Sequence, residues 1–312
     1  MRGNSQLSER LAFYGKGLLR QVVPYSIASR HREGLLRTAE HHAAAREIED
    51  RVGYYNKLEE PFDASDAPQV CEIDRERSRY YLDLDEHARG FGPCRRLHYL
   101  FGDVVNVPSV PTIVKSRPIG PGNENSVVLK LDRLRHFRWR SDPLPFRKKR
   151  NAAVWRGTPL TDQRAQFVRD FYHHPTFDIG HSRRTVDDLP PKASLSHEDQ
   201  QAYKFFVSIE GHDVATNLKW AMASNMLVMS PRLRFETWFM EGRLAPGTHF
   251  VLLKDDLSDL EEKVEYYSRH TDEAEDIIRS AHAWIALFTD PQKERIISLR
   301  VLEKYFLLSG QL

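Results

Sequence analysis

Residues 203–220 carry the residue types best suited to binding a phosphate. The segment opens with an apolar run at residues 205–209, which has the length and composition of a buried parallel strand. Gly211 lies in the turn that follows, and from Val214 onward the apolar residues follow a helical spacing. A strand, a glycine turn and a helix N-terminus together present backbone N–H groups to a phosphate. Most such joints only connect two elements, so phosphate binding here is a hypothesis.

A carboxylate in the first half of the chain also follows an apolar run. Residues 97–101 predict a strand, and Gly102 and Asp103 come directly after it. Enzymes with α/β folds commonly place a catalytic carboxylate just beyond such a strand. Gly-Asp is equally routine turn chemistry. From these residues alone, the turn is the better supported of the two interpretations.

Length and composition indicate an ordinary globular protein of 312 residues with two domains or one large one. The net charge of +2 is too small to predict nucleic acid as a partner. Two cysteines, Cys71 and Cys94, do not make a disulfide framework and favour a reducing compartment. The N-terminus lacks the apolar core of a signal peptide, and no run of eighteen apolar residues occurs. We therefore expect a cytoplasmic protein.

The positive charge is concentrated in residues 1–37, where seven Lys or Arg oppose Glu9 and Glu33, a local balance of +5. Apolar residues such as Leu11, Leu18 and Val22 are interleaved with these charges. A basic amphipathic segment of this kind can lie on an anionic membrane surface, which would make the protein peripheral at the inner membrane. The favoured alternative is an ordinary helix packed on its domain, because Gly15 and Gly17 interrupt the apolar pattern.

The remaining patterns predict alternating strands and helices. Strands are expected at residues 80–84, 113–118, 126–131, 152–155, 176–180, 226–229 and 249–253. Helices are expected at residues 162–172, 272–288 and 291–308, with a further acidic helix that opens after Lys254 and has Asp256 or Ser258 as its N-cap. Residues 130–150 hold nine Lys or Arg and two prolines, a composition typical of an interdomain linker. The expected domains are therefore residues 1–147 and 148–312.

Four motifs in register resemble glycosyltransferase family 90, the lipopolysaccharide A protein and Rumi-type group, and especially its bacterial members. They are KRNAAVWRG at residues 149–157, the segment 203–220, FETWF at 235–239, and residues 249–260. Their order and spacing match over about residues 97–270. The resemblance implies a GT-B fold, in which two Rossmann-like domains face a cleft. The first domain would take the acceptor, and the second would bind the nucleotide sugar.

The resemblance also implies an inverting, metal-independent glycosyltransferase that uses no cofactor. It would move a hexose or pentose from a nucleoside-diphosphate sugar, expected to be a UDP-sugar, to a lipopolysaccharide core or similar envelope glycan. Asp103 corresponds to the family's catalytic aspartate, and Arg156 is the first choice for the diphosphate because a guanidinium can hold two phosphate oxygens. The other implied donor-site residues are Gly157, Thr158, Arg164, Gly211, His212, Asp213, Asn217, Lys219 and Glu236.

Other interpretations stay open at this point. The chain could be a nucleotide-sugar-binding protein without catalysis, or a scaffold in envelope assembly. Asp83 and Asp85 have the Asp-x-Asp letters of a metal-dependent enzyme. Because they alternate at the end of a predicted strand, we expect them to be exposed and to bind no metal.

Overall fold

The computed structural model describes residues 3–40, 43–183 and 186–312, and in these ranges the chain is a mixed α/β structure with parallel sheets. Two compact units are present. The first comprises Met1–Arg135 and Asp290–Leu312, and the second is His136–Thr289. The last helix thus belongs to the first unit, whereas the expected boundary at residue 147 had assigned it to the second.

The first unit combines helices with a small parallel sheet. Its helices are α1 (Gly3–Gln21), α2 (Tyr25–Glu40), α3 (Ala45–Tyr55), α4 (Ser78–Ala88), α5 (Arg133–His136, at its boundary) and the C-terminal helix Pro291–Leu308. Its strands are β1 (His98–Leu100), β2 (Thr112–Val114), β3 (Ser116–Pro118) and β4 (Ser126–Val128). Strands β1, β2 and β4 pair in parallel, with β2 in the middle. The strands predicted at residues 97–101 and 126–131 are therefore confirmed in type. The single strand predicted at residues 113–118 is instead two short strands, β2 and β3, separated at Lys115, and only β2 belongs to this sheet.

A buried acid ties the C-terminal helix to this unit. Glu294 lies 2.6 Å from Arg51 Nη2 and 2.5 Å from Lys130 Nζ. Arg51 is 1% exposed, and Glu294 is buried as well. Breaking such a buried pair leaves an uncompensated charge, so these contacts fix the helix against α3 and the end of the small sheet.

The strand predicted at residues 80–84 is wrong, because this segment lies inside helix α4. Asp83 and Asp85 are 1% and 2% exposed rather than on the surface. Arg133 holds Asp83 through its Nε at 2.9 Å and its backbone N–H at 2.9 Å. Gln21 donates to Asp85 at 2.8 Å. Partners from distant parts of the sequence stabilise both acids, which is why the local alternation of apolar and acidic residues was misleading.

Helix α1 is both packed and exposed. Phe13 is buried and Gly17 lies against Leu82 of α4, as expected for an ordinary packed helix. Leu11 and Leu18 nevertheless remain 64% and 66% exposed. Arg2 of the predicted basic segment lies outside the described residues. Among the helices in the described ranges, none is long and apolar enough to cross a membrane.

The second unit is built on a five-stranded parallel sheet. Its strands are β5 (Arg150–Gly157), β6 (Asp178–His181), β7 (Tyr203–Val207), β8 (Leu227–Ser230) and β10 (Val251–Leu252), with the short strand β9 (Phe235–Thr237) before β10. Its helices are α6 (Asp162–Phe171), α7 (His197–Gln200), α8 (Thr216–Met222), α9 (Leu260–Arg269) and α10 (Thr271–Ala286), so the C-terminal helix becomes α11. The order across the sheet is β10, β8, β7, β5, β6, and all neighbours are parallel.

Apolar strand residues and helix caps account for most of this unit. Trp155 and Phe206 are fully buried in the sheet, as continuous apolar runs predict. The Thr161 hydroxyl accepts from the Arg164 backbone N–H and caps α6. The N-cap expected for the acidic helix is wrong, because Asp259 occupies that position in α9. Asp256 instead accepts from the Ser258 backbone N–H within the preceding turn.

Candidate functional site

The sheet of the second unit reverses its strand order between β5 and β7. From β5 the chain moves to β6 on one side, and it then returns to β7 on the other side and continues outward to β8 and β10. In open parallel sheets, a crevice forms outside the carboxyl ends of the strands at such a point, and ligands bind there. Polar groups just after Gly157 and Val207, where β5 and β7 end, therefore lie where a ligand would bind.

Arg164 joins the two strand ends. It lies in the first turn of α6, and its Nη1 donates to the Thr158 carbonyl at 3.1 Å. Its Nη2 donates to the Ile209 carbonyl at 2.7 Å, and Gly211 lies beside the same guanidinium group. Three predicted donor-site residues, Thr158, Arg164 and Gly211, are thus brought together. Arg164 adds a fixed positive charge to the helix N-terminus, which suits an anion.

Gly157 is required by the packing behind this edge. A Cβ at this position would lie 2.7 Å from the Trp155 ring, closer than two carbon atoms can approach. Trp155 itself is completely buried. Glycine therefore lets β5 end against the indole ring and pass directly into the loop that carries Thr158.

Arg156, the first choice for the diphosphate, is paired with an acid of the neighbouring strand. Its Nη2 lies 2.6 Å from Asp178 Oδ1, and its Nε donates to the Ala193 carbonyl at 3.0 Å. Asp178 is aligned with Val154 in the sheet, so the guanidinium leans back from the carboxyl end of β5. Burial acts to raise the pKa of Asp178, but the hydrogen bond and charge of Arg156 outweigh it and lower the pKa. The geometry thus favours a structural ion pair over a diphosphate contact.

Other residues of the predicted phosphate turn already form hydrogen bonds within the protein. The Gly211 backbone N–H donates to the Asp213 carbonyl at 3.1 Å, and helix α8 begins only at Thr216. Asn217 accepts a hydrogen bond from the Ser208 hydroxyl at 3.1 Å. His212 is exposed beside them.

Two further predicted donor-site residues are buried. Lys219 Nζ lies 2.7 Å from Glu241 Oε1, and both side chains are almost fully excluded from solvent. This placement favours a structural role for Lys219. Glu236 lies in β9 and is 2% exposed.

Sequence reasoning did not select Glu210 and Arg234. The buried Glu210 carboxylate accepts from the backbone N–H groups of Arg234 and Phe235 at 3.0 and 3.1 Å, and from Arg234 Nε at 3.2 Å. Burial raises the pKa of Glu210. Glu210 thus fastens the segment leading into β9 to the end of β7. An acid between a buried strand and a glycine was the available signal, but its partners lie more than twenty residues further along the chain.

An open cleft of about 830 Å³ lies in the second unit. Gln163 of α6, Arg234, and Asp256 from the loop after β10 contribute to its wall. Ligand pockets commonly enclose about 300–1,000 Å³. The size of the cleft fits a nucleotide. Among the described residues, acids outnumber cations in its wall, which includes Arg169, Arg234, Asp162, Asp170, Asp255 and Asp256 and does not include Arg164. The charge that suits a phosphate therefore lies at Arg164 beside the strand ends and not in this cleft.

Asp103 forms a separate site in the first unit. Its Oδ1 lies 2.5 Å from Lys115 Nζ, and its side chain is 33% exposed while Lys115 is buried. Gly102 has φ +122°, a conformation that glycine tolerates and other residues rarely adopt, and the Arg77 guanidinium occupies the space of its missing side chain. A cavity of about 550 Å³ includes Asp103, Arg77 and Tyr80 in its wall. The site therefore offers a positioned, solvent-accessible carboxylate.

Comparison with known proteins agrees with the motifs. A model of glycosyl transferase family 90 matches residues 130–305. The chain is 45% identical over 265 residues to the O-glucosyltransferase LpsA of Dichelobacter nodosus, and this alignment covers 84% of the chain and 83% of LpsA. The chain is 26% identical over 164 residues to protein O-glucosyltransferase 3 of Rattus norvegicus, and this second alignment covers 50% of the chain and 32% of the rat protein.

Proposed function

The chain belongs to glycosyltransferase family 90 and is a glycosyltransferase, and we propose that it transfers a hexose or pentose from a UDP-sugar to a lipopolysaccharide core or similar envelope glycan. Glucose is the first sugar to test, because the relatives compared above are named O-glucosyltransferases. Family membership favours this activity over a scaffold or a binding protein without catalysis.

One observation supports the donor site above all others: Thr158, Arg164 and Gly211 meet where the strand order reverses. We propose that the diphosphate lies against Arg164 and the N-terminus of α6. A guanidinium can donate two parallel hydrogen bonds to phosphate oxygens. This contact would gain strength as negative charge builds up on the departing diphosphate, and it would thereby lower the barrier.

For the chemical step, we propose Asp103 as the general base. It takes the proton of the acceptor hydroxyl while that oxygen forms a bond to the anomeric carbon. The bond from this carbon to the diphosphate oxygen breaks, and its electron pair leaves with the nucleoside diphosphate. Attack from the face opposite the leaving group inverts the anomeric configuration. A GT-B arrangement is the fold proposed for this reaction, and its support is that each unit contains a parallel sheet.

We further propose that turnover needs no divalent metal, because arginine and a helix N-terminus supply positive charge for the phosphates. Asp83 and Asp85, the Asp-x-Asp pair, are engaged by Arg133 and Gln21. Across the described residues, no group of three or more His, Cys, Asp or Glu is arranged to hold a metal ion.

The test is calorimetry and transfer assays with a panel of uridine, guanosine and thymidine diphosphate sugars. We expect uridine diphosphate and one UDP-sugar to bind, with slow release of uridine diphosphate when no acceptor is present. Activity should survive a chelator. Failure of every nucleotide to bind would refute the donor proposal, and chelator-sensitive activity restored by manganese would refute the metal-independent one.

We also propose that the outer face of α1 contacts an anionic membrane. Leu7, Leu11, Leu18 and Val22 lie on one face of this basic segment and are 57–78% exposed. Apolar side chains flanked by cations suit the interface of such a membrane. The protein should sediment with vesicles containing phosphatidylglycerol, and Leu18→Glu should reduce the bound fraction several-fold, whereas Leu252→Glu should not. Equal sedimentation of the two variants would refute the contact.

A further inference from the structure

The first unit contains a second cavity that the proposed reaction does not use. It encloses about 220 Å³ and is lined by residues of α1, α2, α4, the turn after α4, and α11. The resemblance to the family predicts no site residue here. Its lining combines arginines with aliphatic side chains, which is an unusual mixture for a space inside a domain.

Positive charge dominates this lining. Among the described residues, four arginines and one glutamate contribute to it: Arg20, Arg32, Arg89, Arg295 and Glu86. Arg20 pairs with Glu86, and Arg295 Nη2 lies 3.3 Å from the other oxygen of the same carboxylate. Glu86 is thus shared between these two cations and Arg133. Arg89 Nη1 lies 3.3 Å from Asp85 and Arg32 Nη2 lies 3.4 Å from Glu33, neither of which lines the cavity. The lining itself therefore keeps an excess of positive charge.

Two of the arginines have their guanidinium groups over aromatic rings. The Arg32 guanidinium lies 4.7 Å from the centre of the Phe91 ring, and that of Arg89 lies 4.6 Å from the centre of the Tyr25 ring. Arg89 is 6% exposed, and its Nε finds no hydrogen-bond acceptor among the described residues. Arg32 Nε is likewise buried and unsatisfied there. A buried N–H without an acceptor is destabilising, and a ligand oxygen would remove that cost.

The aliphatic part of the lining reaches the surface. Val23, Ile27 and Leu299 contribute to the wall, and Ile27 is 53% exposed. Val22, immediately before this wall, is 78% exposed. An apolar chain that left the cavity along Ile27 would therefore continue over apolar surface.

We propose that this cavity binds a phosphate monoester that carries an apolar chain, with the phosphate held by Arg32 and Arg89 and the chain lying along Val23 and Ile27. Guanidinium groups match phosphate oxygens in geometry and charge. A lipid headgroup and free phosphate share this anionic chemistry, but only a chain-bearing ligand uses the aliphatic wall. The inference does not depend on the donor site.

The full-length protein should be titrated calorimetrically with hexyl phosphate, inorganic phosphate and hexanol. We expect hexyl phosphate to bind at least about tenfold more tightly than inorganic phosphate, since both parts of the cavity contribute. Hexanol should bind more weakly still. Inorganic phosphate that binds as tightly as hexyl phosphate would overturn the role of the chain, and hexanol that binds equally would overturn the role of the charge.

Two variants locate the binding. Ala28→Phe fills the cavity and Arg32→Gln removes one cation, and each should weaken hexyl phosphate by about tenfold or more. Ser26→Phe and Arg30→Gln are matched controls on the exposed part of the same helix and should bind as the wild type does. Arg164→Ala should also bind normally, which separates this cavity from the nucleotide site. Melting curves check folding, and unchanged binding in folded Ala28→Phe and Arg32→Gln would refute the proposal.

Discussion

The donor edge in the second unit and the Asp103 site in the first are held by different means. Arg164 is fixed by the carbonyls of Thr158 and Ile209, so its position depends on where β5 and β7 end. Asp103 follows a strand of only three residues and is fixed by the Lys115 side chain. The donor edge is thus held by hydrogen bonds from a side chain to the backbone at the strand ends. The Asp103 site is held by an ion pair between two side chains. Changes at Asp103 should therefore separate activity from stability, and changes at Arg164 should couple binding to stability.

The largest expected effect is that of Asp103→Asn. The amide keeps the size of the side chain but cannot take a proton, so transfer at saturating donor should fall by about a hundred- to ten-thousand-fold. Donor affinity should change little. The melting temperature should fall only modestly, because the amide oxygen can still accept from the buried Lys115 ammonium although the charge opposite it is lost. Transfer rates, calorimetry and a melting curve measure these three quantities.

Asp63→Asn provides a matched control. Asp63 accepts the Ser65 backbone N–H at 2.8 Å, as an aspartate in a turn does. If Asp103 only stabilises a turn, Asp103→Asn and Asp63→Asn should both leave turnover close to that of the wild type. An Asp103→Asn enzyme that keeps a third of wild-type turnover would rule out the general base, and would direct the search to Asp132 or Glu124 in the same unit.

The second prediction compares two arginines of the donor unit. Arg164→Ala should weaken uridine diphosphate by about ten- to a hundred-fold, since one charge-assisted phosphate contact contributes roughly 1.5–3 kcal/mol. Arg156→Ala should weaken it less but lower the melting temperature, because Asp178 then loses its partner. Arg269→Ala, an exposed position at the end of α9, serves as the control.

Calorimetry and melting curves on the three variants decide between the arginines. If Arg156→Ala weakens the nucleotide more than Arg164→Ala does, the motif-based assignment of Arg156 to the diphosphate is correct. The ion pair with Asp178 would then have to open when the donor binds.

The difference between the two units also explains what the sequence could predict. Strands β5, β7 and β8 and helices α6, α10 and α11 are anticipated because apolar runs and cap residues act locally. The motifs also lead to Thr158, Arg164 and Gly211, which the structure brings together. The Gly-Asp position at Asp103 is likewise visible, although both of its interpretations fit the residues alone.

Long-range partners account for what the sequence could not predict. Arg156 finds Asp178 twenty-two residues away, and Lys219 finds Glu241 at the same separation. Asp83 is buried because Arg133, fifty residues further along, reaches it. A single sequence shows the charge of each side chain but not its partner, so structural ion pairs and ligand-binding residues look alike.

The last prediction concerns the pH dependence of the first unit and the buried His87. Burial lowers the pKa of His87 to about 3, and the charges of Glu86, Arg133, Arg295 and Arg20 surround it. The unfolded chain takes up this proton near pH 6.5, while the folded protein does not until about pH 3. The free energy of unfolding should therefore fall as the pH drops below 6.5. This one group should lower it by about 1.4 kcal/mol per pH unit, which is a tenfold change in the equilibrium constant of unfolding.

His87→Gln should remove that part of the dependence. Burial raises the pKa of Asp83 to about 7, which acts in the opposite sense as acid is added, but Asp83 is present in both proteins and its effect cancels in the comparison. Urea unfolding at pH 7, 6 and 5 should show the variant losing less stability than the wild type. His173→Gln, at an exposed position, should follow the wild type. Parallel curves for wild type and His87→Gln would mean that the imidazole takes up its proton in the folded protein, and that burial does not keep it neutral.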